Sequence, residues 1–405
     1  MKNIAILNSC YDFSTGKIAF NLHKYLLKRG YNSFLCYATG NLHGKENSYK
    51  IESYAEVCLH ALYTRLFGEE GTRSKKATKR FIRFLEENDI DTIYCVNLHG
   101  YYINRRIFLD YVAKKGIKLI YIMGDEYPFL GRCGYSNGCT NYMTGCGNCP
   151  QLREYPVSWF FDKSRQMFKE KQETYAQLDY SQAIFVGPEY TITAGKKSPL
   201  LKGKRLEIVD EAVDTDFYTP QDTTSLKKEL GITDNQIVLV CIAPMSYERK
   251  GCKYFIELAR RFESDERYAF VHVGYDIKDH SNLPRNYKAI GVIKDQNLLA
   301  QYYSLGDLFV FPSLLDTMPN ACLEALSCGS PLLCFNISGM PYIADENTAT
   351  FVDAKNVDQM VEVVKNLKKK DITTISKCRD YAVRRYSNKL YYEKLETLGL
   401  ELSTL

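Results

Sequence analysis

Two acidic residues eight positions apart, Asp316 and Glu324, are the side chains best placed to do chemistry in this sequence. Asp316 follows an apolar strand pattern, Pro319 lies near the first turn of the next helix, and Gly329 closes that helix. A loop that enters a helix N-terminus presents free N–H groups that suit a phosphate, and a carboxylate one turn inside can accept both hydroxyls of a ribose. A helix with incidental acids has the same spacing, so this interpretation depends on the other motifs.

A basic pair, Arg249 and Lys250, follows the apolar run Ile237 to Ile242 and precedes Gly251. Two adjacent cations in a strand-to-helix loop could neutralise a diphosphate that leaves during a transfer reaction. A solvated turn explains an isolated Arg-Lys-Gly equally well.

Small residues separate the first strand pattern from the first helix, in the order Ser14, Thr15, Gly16 and Lys17. The run is not a P-loop, because the pattern Gly-x-x-x-x-Gly-Lys-Ser/Thr is incomplete. Gly16 would permit a close approach of the backbone to a ligand. The alternative is a plain helix cap by Ser14 or Thr15.

Four cysteines form a C-x5-C-x6-C-x2-C pattern among glycines, at Cys133, Cys139, Cys146 and Cys149. Four thiolates in a loop that lacks its own core can be organised by a tetrahedral Zn²⁺. Unmetallated buried or paired thiols and an iron–sulfur centre are the alternatives. A metal held in this way would be structural and not catalytic.

A basic stretch covers residues 65–84, where seven Lys or Arg stand against two Glu. Helical spacing puts one set of cations on one face and apolar residues on the other: Lys75, Lys76, Lys79, Arg80 and Arg83 against Phe81, Phe84 and Leu85. Such a surface could rest on anionic lipid. The alternative is a solvated helix face over an ordinary core.

The composition excludes several classes of protein. The chain has 405 residues, is 45% hydrophobic and carries a net charge of only +5, which is too balanced for a nucleic-acid binder. No apolar run approaches the roughly 18 residues of a membrane span. The apolar run that ends at Asn8 is also too short for a secretion signal, so we expect a cytoplasmic protein. The remaining cysteines, such as Cys36, Cys58, Cys95 and Cys241, are expected to be small buried thiols.

Short apolar runs alternate with amphipathic helical patterns in both halves of the chain. This alternation predicts an α/β protein with two doubly wound, Rossmann-like domains that face each other across a cleft. The predicted divisions are an N-terminal domain at 1–210 with a cysteine-rich insertion at 131–151, and a hinge at 211–222. A C-terminal domain follows at 223–380, and a final helix at 381–405 returns to the first domain.

On these motifs the sequence resembles the family 4 retaining glycosyltransferases of group 1, which have the GT-B fold. The resemblance is closest to members that assemble capsule, exopolysaccharide or O-antigen. It rests on Asp316, on Glu324 at the start of Glu-Ala-Leu-Ser-Cys-Gly-Ser-Pro, on Arg249 and Lys250 before Gly251, and on three N-terminal segments. Those segments are 72–78, 96–104 and the Cys-Pro-Gln that ends at 151.

The resemblance implies a role for each of these residues. Glu324 would hold the donor ribose, Arg249 and Lys250 the diphosphate, and Gly16 would approach the phosphates. The loop after Asp316 would meet the donor sugar and diphosphate through Thr317, Met318, Pro319 and Asn320.

The sequence departs from the family at two of these positions, one of them near the reacting sugar. The usual His of the Leu-His-Asp motif is Gly124 here, and the first acid is Asp316 where Glu is usual. Asp125, Glu126 or His99 could fill the space that the missing imidazole leaves, although His99 could equally be a satisfied histidine at a strand end.

The resemblance implies a retaining hexosyl- or N-acetylhexosaminyltransferase that uses a UDP- or GDP-sugar and needs no metal for donor binding. The acceptor would be a cell-surface glycan or a lipid-linked oligosaccharide bound near residues 99–127, with the protein in the cytoplasm or on the inner face of the plasma membrane. Retention is attributed in this family to front-face attack, in which the leaving phosphate takes the acceptor proton. Two alternatives are a nucleotide-binding pseudoenzyme that acts as a partner subunit and a nucleotide-sugar epimerase.

Overall fold

The computed structural model describes residues 2–11, 13–40 and 47–402, and it leaves the side chains of Phe13 and Ser14 undescribed. The predicted cap by Ser14 therefore lies outside the described part. The chain forms two compact units, which we call unit 1 (Met1–Val209 with Tyr392–Leu405) and unit 2 (Asp210–Tyr391). The corresponding divisions predicted from the sequence are at 210 and 380.

Unit 1 is built on a parallel sheet with the strand order β3-β2-β1-β4-β5-β6-β7 in the described residues. The strands are β1 (Asn3–Leu7), β2 (Asn32–Tyr37), β3 (Ser48–Lys50), β4 (Thr92–Cys95), β5 (Lys118–Ile122), β6 (Ala183–Gly187) and β7 (Arg205–Ile208). The helices are α1 (Phe13–Lys28), α2 (Tyr54–Phe67), α3 (Lys75–Glu87), α4 (Arg105–Lys115), α5 (Ser164–Ala176) and α6 (Glu189–Gly195). The central strands are buried on both faces, as expected of a parallel sheet covered by helices.

The C-terminal segment completes unit 1. Glu396 accepts hydrogen bonds from the hydroxyls of Tyr25 at 2.7 Å and Tyr31 at 2.8 Å, and it pairs with Arg29 at 3.2 Å. The hydroxyl of Tyr94 donates to the carbonyl of Leu395 at 3.0 Å. These contacts fix residues from the end of the chain on the first half of the sequence.

Unit 2 is built on a second parallel sheet, in the order β10-β9-β8-β11-β12-β13 within the described part. The strands are β8 (Ile237–Ile242), β9 (Tyr268–Val273), β10 (Tyr287–Ile290), β11 (Leu308–Phe311), β12 (Leu332–Phe335) and β13 (Ala349–Val352). The helices are α7 (Thr224–Glu229), α8 (Cys252–Arg261), α9 (Gln296–Leu305), α10 (Asn320–Ser327), α11 (Val357–Lys365), α12 (Ile372–Tyr386) and the start of α13 (Asn388–Glu401).

The segment predicted as a hinge, residues 211–222, packs within unit 2 over part of its length. The N–H of Val213 donates to the carbonyl of Tyr386 at 2.8 Å. Tyr218 is buried and its ring meets that of Tyr303 edge to face, with 5.9 Å between centroids. This part of the segment is therefore fixed on α9 and α12.

Each sheet reverses its strand order once, between β1 and β4 in unit 1 and between β8 and β11 in unit 2. Loops diverge at such a point, and ligands of doubly wound sheets bind there at the carboxyl ends of the strands. The predicted site residues follow these strands or their neighbours, since His99 comes after β4 and Asp125 after β5, and Arg249 and Asp316 follow β8 and β11.

Two sequence expectations concern burial. Cys36, Cys95 and Cys241 are buried as predicted, whereas Cys58 is exposed on α2. Among the residues that the structure describes, none of the helices is both long and apolar enough to cross a membrane.

Candidate functional site

The loops after β8 and β11 meet at the carboxyl edge of the unit 2 sheet. The N–H of Leu314 donates to the carbonyl of Arg249 at 2.8 Å, and the Arg249 guanidinium donates to the carbonyl of Leu315 at 2.9 Å. Two motifs that are far apart in the sequence thus form one continuous surface. This confirms that the acidic and the basic motif belong to the same place in the fold.

The carboxylate of Asp316 lies between the two predicted phosphate ligands. Its Oδ1 is 3.1 Å from Nη1 of Arg249, and its Oδ2 is 3.0 Å from Nζ of Lys250. The hydroxyl of Ser313 also donates to Oδ2, at 2.7 Å. Asp316 is buried, while Arg249 is about one third exposed. The three charged groups leave one net positive charge, and the carboxylate holds both cations in fixed positions.

The loop that follows Asp316 is largely internal. Three of its predicted donor-binding residues are buried: Thr317, Met318 and Pro319. The carbonyl of Asp316 accepts from the N–H of Gly339 at 2.9 Å, and Sδ of Met318 lies 3.2 Å from the backbone nitrogen of Glu211. Asn320 begins α10, and its buried Oδ1 has no hydrogen-bond partner in the described part of the chain. The loop therefore offers backbone groups and the Asn320 amide more than long side chains.

Glu324 lies one turn inside α10 and is held from behind by a phenol. The hydroxyl of Tyr303 donates to Oε2 at 2.5 Å, while the hydroxyl of Tyr218 donates to Oε1 of Gln296 at 3.0 Å. Burial, followed by the charge of Glu324, raises the pKa of both phenols, so that they stay protonated donors. Glu324 is itself only half-buried. Tyr303 orients a carboxylate that still reaches the surface.

Two glycines make close backbone approaches possible. Gly251 has φ +66°, and a Cβ there would lie 1.9 Å from the carbonyl oxygen of Pro312, so only glycine lets the two donor loops meet. Gly16 is buried in the first turn of α1, and a Cβ there would lie 2.1 Å from the carbonyl oxygen of Tyr11. The small residue at 16 is thus needed by its own loop.

In unit 1 the structure brings His99 and Asp125 together. Nε2 of His99 is 2.7 Å from Oδ2 of Asp125, and Nδ1 is 2.8 Å from the hydroxyl of Tyr155. Oδ1 of Asp125 accepts from the N–H of Tyr127 at 3.0 Å. The tautomer with the proton on Nε2 satisfies all of these contacts, because Nδ1 then accepts from the phenol. His99 is therefore part of a chain of polar groups at the carboxyl edge of the sheet.

Glu126, the third residue considered for the position of the missing histidine, has another role. It is buried, its Oε2 accepts from the N–H of Ser136, and its Oε1 accepts from the hydroxyl of Tyr190 at 2.8 Å. One oxygen thus attaches the cysteine-rich segment and the other attaches α6. Of the three candidates beside Gly124, His99 and Asp125 are the two that the structure joins.

The cysteine-rich segment gathers its four thiols around one cavity of about 20 Å³, lined among others by Cys133, Cys139, Cys146 and Cys149. A hydrogen bond between the first and the last of these sulfurs raises the pKa of Cys133 and lowers that of Cys149 to about 6. The N–H of Gln151 also stabilises the Cys149 thiolate. The thiols share one small space, although they do not form a preassembled group of three close ligand atoms.

The described residues do contain one such group elsewhere, in which ligand atoms of Cys241, Cys252 and His272 lie within 4.8 Å of one another. Both ring nitrogens of His272 are already used, since one is 2.8 Å from the carbonyl oxygen of Ala243 and the other 2.7 Å from the hydroxyl of Tyr287. A metal would have to break one of these buried bonds. We interpret the group as packing beneath the loop after β8.

Several neighbours of the site were not found from the sequence. Tyr303 and Tyr218 come from α9 and from the segment before α7, and no local spacing connects them to Glu324. Tyr155 likewise reaches His99 from the cysteine-rich region. Among these neighbours, Ser313 is the one that a sequence motif could have indicated, because it lies three residues before Asp316 in the Pro-Ser motif.

The sequence matches a family model and several related proteins. Residues 236–370 match the family model described as glycosyl transferases group 1. The chain is 22% identical over 370 residues to WcaC of Escherichia coli K12, named as a colanic acid biosynthesis glycosyl transferase, and the match covers 86% of both chains. It is 25% identical over 213 residues to an E. coli UDP-Gal:alpha-D-GlcNAc-diphosphoundecaprenol alpha-1,3-galactosyltransferase, covering 49% of this chain and 54% of that one.

Solved structures give the fold. HepE from Anabaena, crystallised with UDP-glucose, superposes with a TM-score of 0.65 at 12% identity over the full length of both chains. WaaG, a glycosyltransferase involved in lipopolysaccharide biosynthesis, superposes with a TM-score of 0.62 at 15% identity over 98% of this chain and 99% of that one. These matches confirm the predicted GT-B fold. The chain therefore has the GT-B fold, and residues 236–370 of its C-terminal unit match the glycosyl transferases group 1 model.

Proposed function

We propose that this glycosyltransferase moves a sugar, with retention of configuration, from a UDP- or GDP-sugar to a glycan or lipid-linked acceptor. The observation that carries the proposal is the cluster of Arg249, Lys250 and Asp316 on the same sheet edge as Glu324. The cluster lies within the region that matches the glycosyltransferase family model. Its charge and its place at the strand reversal fit a nucleotide diphosphate.

The two cations would bind the donor diphosphate. Asp316 balances one of the two positive charges, and the other is available to the phosphates together with the N–H groups at the start of α10. As the glycosidic bond to the phosphate breaks, negative charge grows on the leaving diphosphate, and fixed cations stabilise that charge without reorganising. We therefore propose that donor binding needs no divalent metal.

Glu324 would recognise the ribose of the donor. A carboxylate can accept hydrogen bonds from two neighbouring hydroxyls, and Tyr303 keeps this one oriented from behind. The sugar moiety of the donor would contact the buried loop at residues 317–320, through its backbone and the Asn320 amide. The base and the sugar of the donor are left open between the UDP and GDP types.

Unit 1 would supply the acceptor side through His99 and Asp125. In front-face transfer the leaving phosphate takes the proton of the acceptor hydroxyl, so no separate general base is needed. The imidazole would instead hydrogen-bond a hydroxyl of the bound sugars in exchange for its contact with Tyr155. This would give His99 the position that the family's histidine has, in place of Gly124.

The acceptor is proposed from the relatives. One of them acts, by its name, on a diphosphoundecaprenol-linked sugar, and another belongs to colanic acid biosynthesis. An acceptor of this kind is anchored in a bilayer. We therefore propose a polysaccharide precursor as acceptor and a working position in the cytoplasm at the inner face of the plasma membrane.

The proposal is tested by nucleotide binding, followed by transfer. Thermal unfolding with UDP, GDP and ADP should show a shift with one of the first two, because a ligand at 100 times its Kd stabilises the folded state by about 2.7 kcal/mol. Lys250→Ala should abolish that shift. Lys253→Ala, which changes an exposed lysine in the first turn of α8, should retain it and serves as the control.

Transfer is then measured with sugars of the nucleotide that binds, on lipid-linked acceptors, with EDTA present. Release of nucleoside diphosphate together with a longer glycan supports the proposal. Binding without transfer or hydrolysis would favour the pseudoenzyme, and conversion of the nucleotide sugar without an acceptor would favour the epimerase. A chain that binds none of these nucleotides would overturn the assignment of the donor site.

A further inference from the structure

Helix α2 has an apolar face that stays exposed among the described residues of unit 1. Its inner side is buried through Val57, His60, Ala61 and Thr64. Its outer side is also apolar, and the exposed fractions are 64% for Leu59, 44% for Leu62 and 43% for Phe67. A helix on the surface of a soluble protein normally carries polar residues on its outer side. The outer face of α2 is therefore built for contact with something apolar.

A run of three aromatic residues extends this face. Trp159, Phe160 and Phe161 have exposed fractions of 41%, 69% and 50%. The run is attached to the end of α2, because the N–H of Trp159 donates to the carbonyl of Arg65 at 2.6 Å and the ring of Phe161 stacks parallel to that of Phe67 at 6.4 Å. We call the outer face of α2 together with residues 159–161 the apolar patch.

The basic helix α3 runs beside the apolar patch in the opposite direction. Arg73, just before α3, lies over the ring of Tyr63 at 3.7 Å, and Arg80 is 3.7 Å from Glu52, which precedes α2. The exposed cations of this segment are Arg73, Lys75, Lys76, Lys79, Arg80 and Arg83. No acidic residue occurs between 71 and 85. A broad apolar surface thus has a row of positive charges along one side.

The sequence pattern indicated residues 65–84 as a possible membrane contact, with the cations and the apolar residues on opposite faces of what is now α3. The structure changes that picture, because the apolar side of α3 is used for the core: Phe81 and Leu85 are fully buried. Helix α3 can offer charge to a membrane but nothing to insert. The inserting groups must come from α2 and residues 159–161.

We propose that the apolar patch inserts into the headgroup region of an anionic bilayer while the cations of α3 bind lipid phosphates. Aromatic residues favour the membrane interface, and each Lys or Arg near an anionic surface adds to the attraction. A second copy of the chain fits less well, because a symmetric pair of patches would bring two rows of cations together. The inference rests on the membrane position in the proposed function and names the surface responsible, and its test needs no sugar transfer.

Intrinsic tryptophan fluorescence can test this proposal. Trp159 is its single tryptophan and lies in the apolar patch. On vesicles of phosphatidylcholine with phosphatidylglycerol at low salt, its emission should move to shorter wavelength and be quenched by lipids brominated on the acyl chain. Binding with unchanged emission would overturn insertion of the patch.

Variants separate the two contributions. Lys76→Glu with Lys79→Glu should weaken binding to the anionic vesicles by more than about tenfold, and Leu59→Ser with Phe160→Ser should abolish the spectral shift. Matched controls in unit 2 are Lys278→Glu with Lys294→Glu, and Val292→Ser with Ile372→Ser, all at exposed positions. The controls should bind like the unchanged protein, and equal losses in both sets would overturn the proposal.

The oligomeric state is measured on the same samples by sedimentation velocity. A monomer in solution that floats with anionic vesicles and not with phosphatidylcholine alone is the expected result. A dimer that Leu59→Ser with Phe160→Ser dissociates, without vesicle binding, would assign the patch to a second copy. A monomer that binds no vesicle would also overturn the proposal, and both results would leave the nucleotide-binding test unaffected.

Discussion

The ammonium group of Lys250 lies 3.0 and 3.1 Å from the two carboxylate oxygens of Asp316. The same carboxylate also pairs with Arg249 at 3.1 Å. An acid that the sequence motif would assign to the donor sugar is thus the anchor of the two phosphate ligands. The family usually has Glu at this position, and the shorter side chain of Asp316 keeps its carboxylate next to the cations.

Asp316→Asn should separate binding from transfer. The amide removes one negative charge from a cluster with net charge +1, so affinity for the nucleoside diphosphate should be kept or increased. The turnover number should fall by roughly 100-fold, since misplacement of charged groups by about 1 Å has effects of that size. Calorimetric titration and initial rates measure the two quantities. Equal losses of affinity and turnover would contradict the role as an anchor.

Gly251→Ala should damage the donor site while Gly231→Ala should not. Both glycines have positive φ, +66° and +64°, so alanine is strained by about 1 kcal/mol or more at either. At 231 nothing lies within 4 Å of the added Cβ, whereas at 251 it would lie 1.9 Å from the carbonyl oxygen of Pro312. The 251 variant should therefore unfold at lower temperature than the 231 variant and bind nucleotide poorly. Similar melting temperatures and affinities would refute this.

Much of the architecture was available from the sequence, because parallel strands buried on both faces give short continuous apolar runs. The run Ile237–Ile242 was predicted with the bounds that β8 has. Elements without such runs were missed, among them α5 (Ser164–Ala176), which follows the cysteine-rich loop, and the edge strand β10 (Tyr287–Ile290), which is only partly buried. Periodicity detects burial, so it is weakest at sheet edges and after irregular segments.

Site residues that lie in a local motif could be predicted from the sequence, whereas contacts between distant segments could not. Arg249 and Asp316 were assigned from local motifs, but their ion pair depends on β8 lying next to β11. The contact of Tyr155 with His99 depends on how the cysteine-rich segment folds back. Spacing along the chain contains no information on such contacts.

His99→Gln should lower transfer more than nucleotide binding. His99 lies in unit 1, and the donor cations lie in unit 2. We expect kcat/KM for the acceptor to fall by roughly 100-fold, the size typical of a lost transition-state hydrogen bond, while the thermal shift with nucleotide stays. Tyr155→Phe, which removes only the phenol contact at Nδ1, should have a smaller effect. His280→Gln, at an exposed position, is the control.

The cysteine-rich segment should contain one zinc ion per chain. Arg132 is buried against the same cavity, and its Nε and Nη1 have no hydrogen-bond partner among the described residues. A buried cation requires negative charge nearby, and four thiolates on Zn²⁺ carry a net charge of −2. The two guanidinium nitrogens without partners thus favour a charged metal site over four neutral thiols.

Elemental analysis of the purified protein tests this prediction. Cys146→Ser and Cys149→Ser should lose the zinc and melt at lower temperature, whereas Cys58→Ser, at an exposed cysteine on α2, should keep both properties. Iron with visible absorption would indicate the cluster alternative. Protein without metal, and with a melting temperature insensitive to chelators, would show that the thiols simply pack.

Acid should destabilise unit 1 through two buried histidines. Burial lowers the pKa of His23 and of His60 to about 4 from the ordinary value near 6.5. The unfolded chain therefore binds two more protons than the folded one between these values, so stability is lost as the pH falls from about 6.5 to 4. Each proton contributes about 1.4 kcal/mol per pH unit to the free energy of unfolding. Urea unfolding from pH 7 to 4.5 should show this loss. The slope of the free energy of unfolding against pH should correspond to about two fewer protons in the double variant His23→Gln with His60→Gln, and it should be unchanged in His280→Gln. An unchanged slope would mean that both imidazoles are accessible to protons in the folded state.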